Sequence, residues 1–377
     1  MKDKVQCPRP DWIFSARKNI TVLSPDLEMV FSFDLEGRPV SWFQDDRIYK
    51  RSLASRVHTR ERIGGRRVRA VLPEADAAGR FRILLDRIGS APIPTVSQDE
   101  KDRLRRILAW TPERLLEERG RFDRVYRPVS ILPPDQYLAV VLQATWGCTW
   151  NQCTFCSFYQ DRPFSCRPVD EFRKHCLDVR DFLGEGLKLR RSIFLADGNA
   201  LVLDRDRLFP ILETVVEQFP GMPVHGFVDV FGGERRPAAE WSELRELGLT
   251  RVHVGLETGC DELLSWLNKP GSAEDSFRFV STLKEAGLKV ALIFMVGAGG
   301  RKFARNHLEA TIALAERLPL EKGDIVYLSP FQPEAGSTVI DLTEDEIDLE
   351  LTVLKDRVRQ AAPAATVTRY DIREFLY

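Results

Sequence analysis

Between Tyr137 and Leu328 the sequence alternates short, apolar, β-rich runs with longer amphipathic stretches, and this rhythm limits the fold more than any other feature. The runs are Tyr137–Ala144, Ser192–Ala196, Val224–Val228, Arg251–Leu256, Lys289–Val296 and Asp324–Leu328. Helical spacing of apolar residues falls between them, near 168–183, 204–219, 237–247, 274–286 and 303–318, and again near 343–361. Strands that are each followed by a helix lie parallel in one sheet. Runs as uniformly apolar as Val290–Val296 suit a sheet covered on both faces. The pattern predicts either an open α/β sheet or a partial barrel, with its chemistry at the C-terminal ends of the strands.

The remainder of the chain has a different rhythm. Ile20–Val22, Met29–Phe33 and Val40–Trp42 alternate with period two and predict strands around the turn at Glu36-Gly37-Arg38. Residues 47–69 carry nine Lys/Arg against one acid, Glu61, with a turn at Gly64-Gly65. Residues 75–88 and 98–118 predict two helices. Residues 1–125 thus read as a small α+β N-terminal unit and 126–136 as a Pro-rich linker. Residues 137–340 form the alternating region, and 341–377 a C-terminal helix and tail. The tail, with Tyr370, Phe375, Leu376 and Tyr377, and the N-terminal unit are the candidates to close the side of a barrel with only six strands.

The first run leads directly into Cys148-Thr-Trp-Asn-Gln-Cys153-Thr-Phe-Cys156. Three thiolates in nine residues can reach three corners of one [4Fe–4S] cluster from a single loop, which leaves one iron without a protein ligand. Structural metal sites are closed, whereas catalytic ones keep a position open. The alternative is a structural zinc site completed by a distant His or Cys, but such sites usually draw on two paired knuckles and only Cys153/Cys156 forms such a pair. The other cysteines, Cys7, Cys166, Cys176 and Cys260, make no paired motif. An odd count of seven argues for thiols used as ligands rather than as disulfides.

Further motifs stand at the ends of later runs. Ala196-Asp197-Gly198 offers a carboxylate that can accept from an ammonium and a glycine that lets a ligand approach the backbone, or simply a capped turn. Val254-Gly255-Leu256-Glu257-Thr258-Gly259 offers a carboxylate suited to two ribose hydroxyls, or one paired with Arg251 or another cation. Leu267-Asn268-Lys269-Pro270 adds a cation, and Val296-Gly297-Ala298-Gly299-Gly300 a glycine-rich turn. The sixth run ends in Ser329-Pro330-Phe331-Gln332-Pro333-Glu334-Ala335-Gly336-Ser337. His225 and His253 sit inside strands, where packed side chains are the default.

The cysteine loop with Phe155 before its last cysteine, and the ordered strand-end motifs behind it, resemble the radical S-adenosylmethionine (SAM) superfamily over residues 137–335. The first gap has one residue more than the commonest spacing of that superfamily, and Asp197-Gly198 replaces the commoner Gly-Gly-Glu. The resemblance implies a partial (β/α)6 TIM-like barrel. It implies that Cys148, Cys153 and Cys156 are the cluster ligands and catalytic centre, and that the open iron binds SAM. One electron from the reduced cluster would cleave SAM to methionine and a 5′-deoxyadenosyl radical, which takes hydrogen from a substrate. It further implies SAM contacts from Phe155, from Asp197 and Gly198 to the methionine amino group, and from Glu257 to ribose. Lys269 would face the carboxylate, and Val296 and Gly297 the adenine. A flavodoxin or ferredoxin would supply the electron.

The substrate is not named by any motif. The basic 47–69 segment could grip RNA phosphates, yet the whole chain carries a net charge of −1 and gives no supporting field. A small molecule or a peptide is therefore expected ahead of RNA. The competing class is a non-catalytic iron–sulfur or zinc-binding protein, for which Asp197, Glu257 and the Gly297 turn would be superfluous. Cys260, beside the Glu257 motif, is read as a small packing residue rather than a hydrogen donor. No apolar run is long enough to cross a bilayer and the N-terminus lacks a secretory pattern, so a cytoplasmic enzyme is expected.

Overall fold

A computed structural model describes residues 12–26, 29–64, 66–332, 342–375 and 377. It contains two compact units. The first comprises the chain up to Pro128 together with Asp178–Arg190 and the C-terminal tyrosine. The second comprises Val129–Leu177 and Arg191–Phe375.

The first unit is an antiparallel meander of β1 (Ile13–Ala16), β2 (Thr21–Asp26), β3 (Met29–Phe33), β4 (Pro39–Gln44), β5 (Arg47–Arg51), β6 (Val57–Ile63) and β7 (Arg66–Val71), in that order. Helices α1 (Glu74–Gly89), α2 (Gln98–Leu108) and α3 (Pro112–Val125) follow. β4 and β5 close through Asp45 and Asp46, both at positive φ, with Gln44 opposite Arg47, the geometry of a two-residue primed turn. Inward residues Leu23, Phe31, Phe33, Trp42, Tyr49 and Val57 pack on Phe81, Leu84 and Ile88 of α1 and on Ile107 and Leu115. The single helix expected over 98–118 is two, because Thr111 caps α3 with Pro112 at its first position and so stops α2 before it. The basic 47–69 run is the β5–β7 part of the meander. Its alternation buries Tyr49, Arg51 and Val57 while Lys50, Arg56 and Arg62 face solvent. Arg51 donates to the Pro39 carbonyl at 2.8 Å and Arg47 pairs with Glu61 at 2.7 Å. Gly64 turns at φ +58, and Gly65 lies outside the described residues, as do Cys7 and Leu376. Arg38 is fully buried between Asp34 (2.8 Å) and Glu118 (3.0 Å) and also donates to the Phe182 and Leu183 carbonyls, the open end of α4 (Val169–Leu183).

The second unit opens with β8 (Ala139–Gln143), β9 (Thr145–Trp146) and β10 (Ser165–Cys166), and continues through α4 to β11 (Ser192–Ala196), α5 (Arg205–Gln218), β12 (Val224–Val228), α6 (Val230–Gly233) and α7 (Ala238–Glu246). Then come β13 (Leu249–Glu257), α8 (Asp261–Trp266), α9 (Ala273–Glu285), β14 (Lys289–Val296), α10 (Gly300–Arg317), β15 (Ile325–Pro330), α11 (Glu344–Ala361) and β16 (Thr366–Arg369). The sheet order β8-β11-β12-β13-β14-β15-β16 follows the chain, and every pair is parallel. A doubly wound sheet would reverse direction at a switch point. Uninterrupted order curls the sheet into a partial barrel, as the resemblance implied. The sequence reading gave six strands; the seventh, β16, is four residues long and too short to show a period of its own. No helix among the described residues is long and apolar enough to cross a membrane.

Toward the N-terminal ends of the strands the barrel is plugged by a polar network. Asp135 accepts from Tyr327 Oη (2.8 Å), Gln136 Nε2 (2.9 Å) and Arg251 Nη1 (2.9 Å), and lies 3.1 Å from His253 Nε2. Gln136 also reaches His225 Nδ1 at 3.1 Å and accepts from Ser192. Burial opposes the Asp135 charge, but these donors win and hold its carboxyl far below the usual carboxylate range. Burial keeps His225 neutral, down to about 3. Asp135→Asn should lower the unfolding free energy at pH 7 by about 2–4 kcal/mol, since Arg251 keeps its charge without its partner. The gap to wild type should close as pH falls below about 4, where Asp135 in the unfolded chain protonates. Urea unfolding of both proteins across pH 3–7 measures it, and equal midpoints at pH 7 would refute the role.

Candidate active site

At the opposite end of the barrel, β8 gives way to the cysteine loop. The loop base is a two-stranded clamp in which Trp146 of β9 faces Ser165 of β10. Gly147 sits at φ +77, where a Cβ would come within 3.0 Å of the Pro163 carbonyl. The loop is then tied to the end of α8. Thr154 N–H donates to Leu267 O (3.0 Å), Trp150 Nε1 to Asn268 O (2.8 Å), and Asn268 Nδ2 to Gln152 O (2.8 Å). α8 ends in a Schellman motif: Asn268 is left-handed at φ +52 and donates to Ser265 O, while Lys269 N–H donates to Leu264 O. Asn268-Lys269 is thus a helix stop whose first residue holds the cysteine loop and whose second aims a cation at the barrel mouth.

Glu257 receives that cation. Lys269 Nζ lies 2.6 Å from Glu257 Oε1, with both side chains nearly buried. Burial acts to lower the Lys269 pKa, but Glu257 and the neighbouring Cys153 outweigh it and raise it. The sheet register slips between Gly255 and Glu257, and Glu257 adopts φ +62, a left-handed conformation that costs a non-glycine residue ~1–2 kcal/mol. A Cβ on Gly255 would lie 2.3 Å from Glu257 Oε1, and one on Gly259 would lie 2.2 Å from the Ala310 carbonyl of α10. The two glycines of the Gly-x-Glu-x-Gly motif have separate tasks: one makes room for the carboxylate, the other lets the strand exit pass under α10. Arg251, the alternative partner for Glu257, is engaged at Asp135 instead.

These groups converge on a cavity of about 260 Å³ lined by Cys148, Cys153, Cys156, Phe155, Gly198, Glu257 and Lys269, among others. Asp197, Val296 and Gly297 do not line it. The Asp197 carboxylate is buried, accepts from the Gly147 N–H and pairs with Arg162 at 3.4 Å; its own N–H donates to Thr145 Oγ1. Arg162 in turn donates to Ser130 Oγ and the Phe158 carbonyl and lies over the Tyr159 ring. Asp197 therefore ties the two ends of the cysteine loop to the end of β11. Gly198 leaves room for Tyr159, whose ring would be 2.5 Å from a Cβ there. Gly297 donates its N–H to Glu350 of α11 at 2.9 Å, and Val296 is buried. Of the sixth run's motif, Ser329–Gln332 line the cavity, and 333–337 lie outside the described residues. Tyr370 and Ile372, just after β16, line it too, so the tail does contribute a wall.

The sequence reading missed Asp229, which also lines the cavity. It caps α6 through Gly232 N–H and takes hydrogen bonds from Asn199 and, at 3.5 Å, from Thr149 in the cysteine loop. It ends the third strand, so the strand-end rule applied there would have found it. His225 and His253 do not line the cavity; His253 packs under Phe194 and Phe227. Asp135, His225 and His253 bring their ligand atoms within 4.8 Å of one another. The Asp135 carboxylate there is filled by donors that include an arginine, which favours a structural plug over a cation site.

Burial pushes the Cys153 thiol up to about 12 and raises that of Cys156. Buried thiols stay protonated at neutral pH until a cation stabilises the thiolate. Two such thiols, with Cys148 beside them, around a mouth that also holds a carboxylate–ammonium pair suit an iron cluster, with the pair left over for an organic ligand.

Residues 142–315 match the profile of the radical SAM superfamily. Those residues form a radical SAM domain, whose superfamily uses a [4Fe–4S] cluster and SAM as cofactors. Comparison with curated proteins gives no match. Among solved structures it is similar to the cobalamin-dependent S-adenosylmethionine radical enzyme OxsB with aqua-cobalamin and S-adenosylmethionine bound (13% identity, 81% of this chain and 38% of that one, TM-score 0.42). It is also similar to coproporphyrinogen III oxidase from Escherichia coli (14%, 65% and 56%, 0.46) and to methylornithine synthase (15%, 77% and 81%, 0.42). The chain thus spans well under half the length of OxsB.

Burial raises Asp197 to about 6, against the opposing charge of Arg162. A carboxyl whose folded pKa exceeds its unfolded value stabilises the protonated fold, so that stability is lost as pH rises from about 4 to 6. In cluster-free protein, Asp197→Asn should therefore gain stability relative to wild type across that window and level off above it. Urea midpoints measured from pH 4 to 8 check this; parallel profiles would remove the perturbed carboxyl.

Proposed function

We propose that Cys148, Cys153 and Cys156 hold the [4Fe–4S] cluster with one iron open to SAM, and that Glu257 and Lys269 bind SAM in the adjoining cavity. Support comes from one observation above all: the three thiols and the Glu257–Lys269 pair, carried on three different loops, line a single cavity. When bound, the cluster would supply the electron that cleaves SAM, whose adenosyl carbon then takes a hydrogen atom from the substrate. The protein's own part is placement. Glu257 Oε2 is free of the Lys269 contact and can accept from ribose hydroxyls, while Lys269 can turn a proton toward the SAM carboxylate. Phe155, whose ring centroid lies 6.0 Å from Lys269 Nζ, shields that pair from water. The Asp197–Arg162 tie fixes the cysteine loop from beneath, and Gly198 lines the cavity with Tyr159 seated against it. Val296 and Gly297 would meet adenine only at their backbone. A reduced flavodoxin or ferredoxin is the electron donor this reading requires.

A small molecule or a peptide is favoured as substrate over RNA. The basic 47–69 run is partly spent inside its own unit, with Arg51 buried and Arg47 paired to Glu61.

Protein prepared without oxygen should carry close to four irons, and replacing Cys148, Cys153 and Cys156 together with Ala should abolish both iron and colour. Stoichiometric zinc with no iron in the wild type would sink the cluster assignment. Glu257→Gln should raise the SAM dissociation constant about ten- to a hundredfold, for about 1.5–3 kcal/mol, while iron content stays the same. Calorimetric titration of SAM into both proteins decides it, and equal affinities would move the ribose site elsewhere.

A further inference from the structure

Resting on the radical SAM reading, we infer that the part of the substrate entering the cavity is uncharged and largely apolar, an aromatic or aliphatic group without phosphate, carboxylate or ammonium. The floor and inner walls are Ile131, Phe227, Ile293, Ser329, Tyr370 and Ile372, drawn from five elements of the barrel and its tail. None carries a charge. Phe227 closes the floor and separates the cavity from the polar plug, against whose His253 it packs with ring centroids 5.8 Å apart.

The charged groups that do line the cavity are already engaged. Lys269, the sole cation among the described lining residues, faces Glu257 at 2.6 Å and is assigned with it to SAM. Asp229 is taken by Gly232 N–H, Asn199 and Thr149. The cations nearest along the tail, Arg369 and Arg373, both pair with Asp371 (3.2 and 2.8 Å). Residues 333–341, which follow the lining residue Gln332, contain no Lys, Arg or His in their sequence. A substrate phosphate or carboxylate brought here beside bound SAM would lose its hydration with no counter-charge to replace it. A neutral ring loses little and gains contact with Phe227, Ile293 and Tyr370. The Ser329 hydroxyl and the Gln332 amide can serve a neutral oxygen or nitrogen on that ring. Charged parts of the substrate stay outside the mouth.

The test is calorimetric binding of three probes of similar size, p-cresol, phenyl phosphate and benzylamine, to reconstituted protein with SAM present and no reductant. p-Cresol should bind saturably and at least about tenfold more tightly than either charged probe. Equal or tighter binding of phenyl phosphate or benzylamine, or no saturable p-cresol binding, overturns the inference. In Ile293→Lys, shown folded by circular dichroism, phenyl phosphate should gain at least about tenfold; no gain in the folded variant would place the probes elsewhere and also overturn it. Iron content and SAM affinity measured on the same samples report on the cofactor assignment separately, so the two readings fail independently.

Discussion

The site depends on three hydrogen bonds that join the cysteine loop to the end of α8: Thr154 to Leu267, Trp150 to Asn268, and Asn268 to Gln152. A nine-residue loop carrying three thiols has no regular structure of its own. It acquires one by borrowing the orphan carbonyls of a helix that ends beside it, and those carbonyls are available only because Asn268 takes the left-handed turn. The same turn delivers Lys269 to Glu257. Loop, cation and carboxylate are therefore positioned by one local event, although they come from separate stretches of sequence.

Close packing around glycines does the complementary work. Gly255 and Gly198 are empty spaces into which Glu257 and Tyr159 fit, and Gly259 lets the backbone pass within contact distance of α10. A side chain at Gly255 or Gly198 would push a cavity-lining group out of position, and one at Gly259 would strike the α10 backbone. The left-handed backbone at Glu257 is the strained element in this arrangement, held by its pairing with Lys269 and by the slipped register with β14.

The barrel is polarised along its axis. Its N-terminal end is a dense polar network centred on Asp135, and its C-terminal end is an apolar cavity with one buried ion pair. Phe194 and Phe227 form the layer between. This division puts the polar plug on one side and the candidate site on the other.

The alternation of apolar runs and amphipathic stretches determined the parallel sheet by itself, because period and run length are local properties of the chain. The cysteine spacing likewise picked out Cys148, Cys153 and Cys156, since three thiols in one loop need no distant partner to be noticed. Glu257 and Lys269 were legible from motif, but not that they pair. Tertiary structure alone decided the rest. Asp197 was read as a ligand contact, yet its carboxylate is spent on Gly147 and Arg162, because a strand end 35 residues from Arg162 happens to lie beneath the loop. Asp229 joins the cavity only once β12 stands beside β11 and β13, and the four residues of β16 become a strand only because β15 offers a free edge. Local sequence encodes which way a segment curls and which face it buries; which buried groups then satisfy one another depends on neighbours that only the folded sheet brings together.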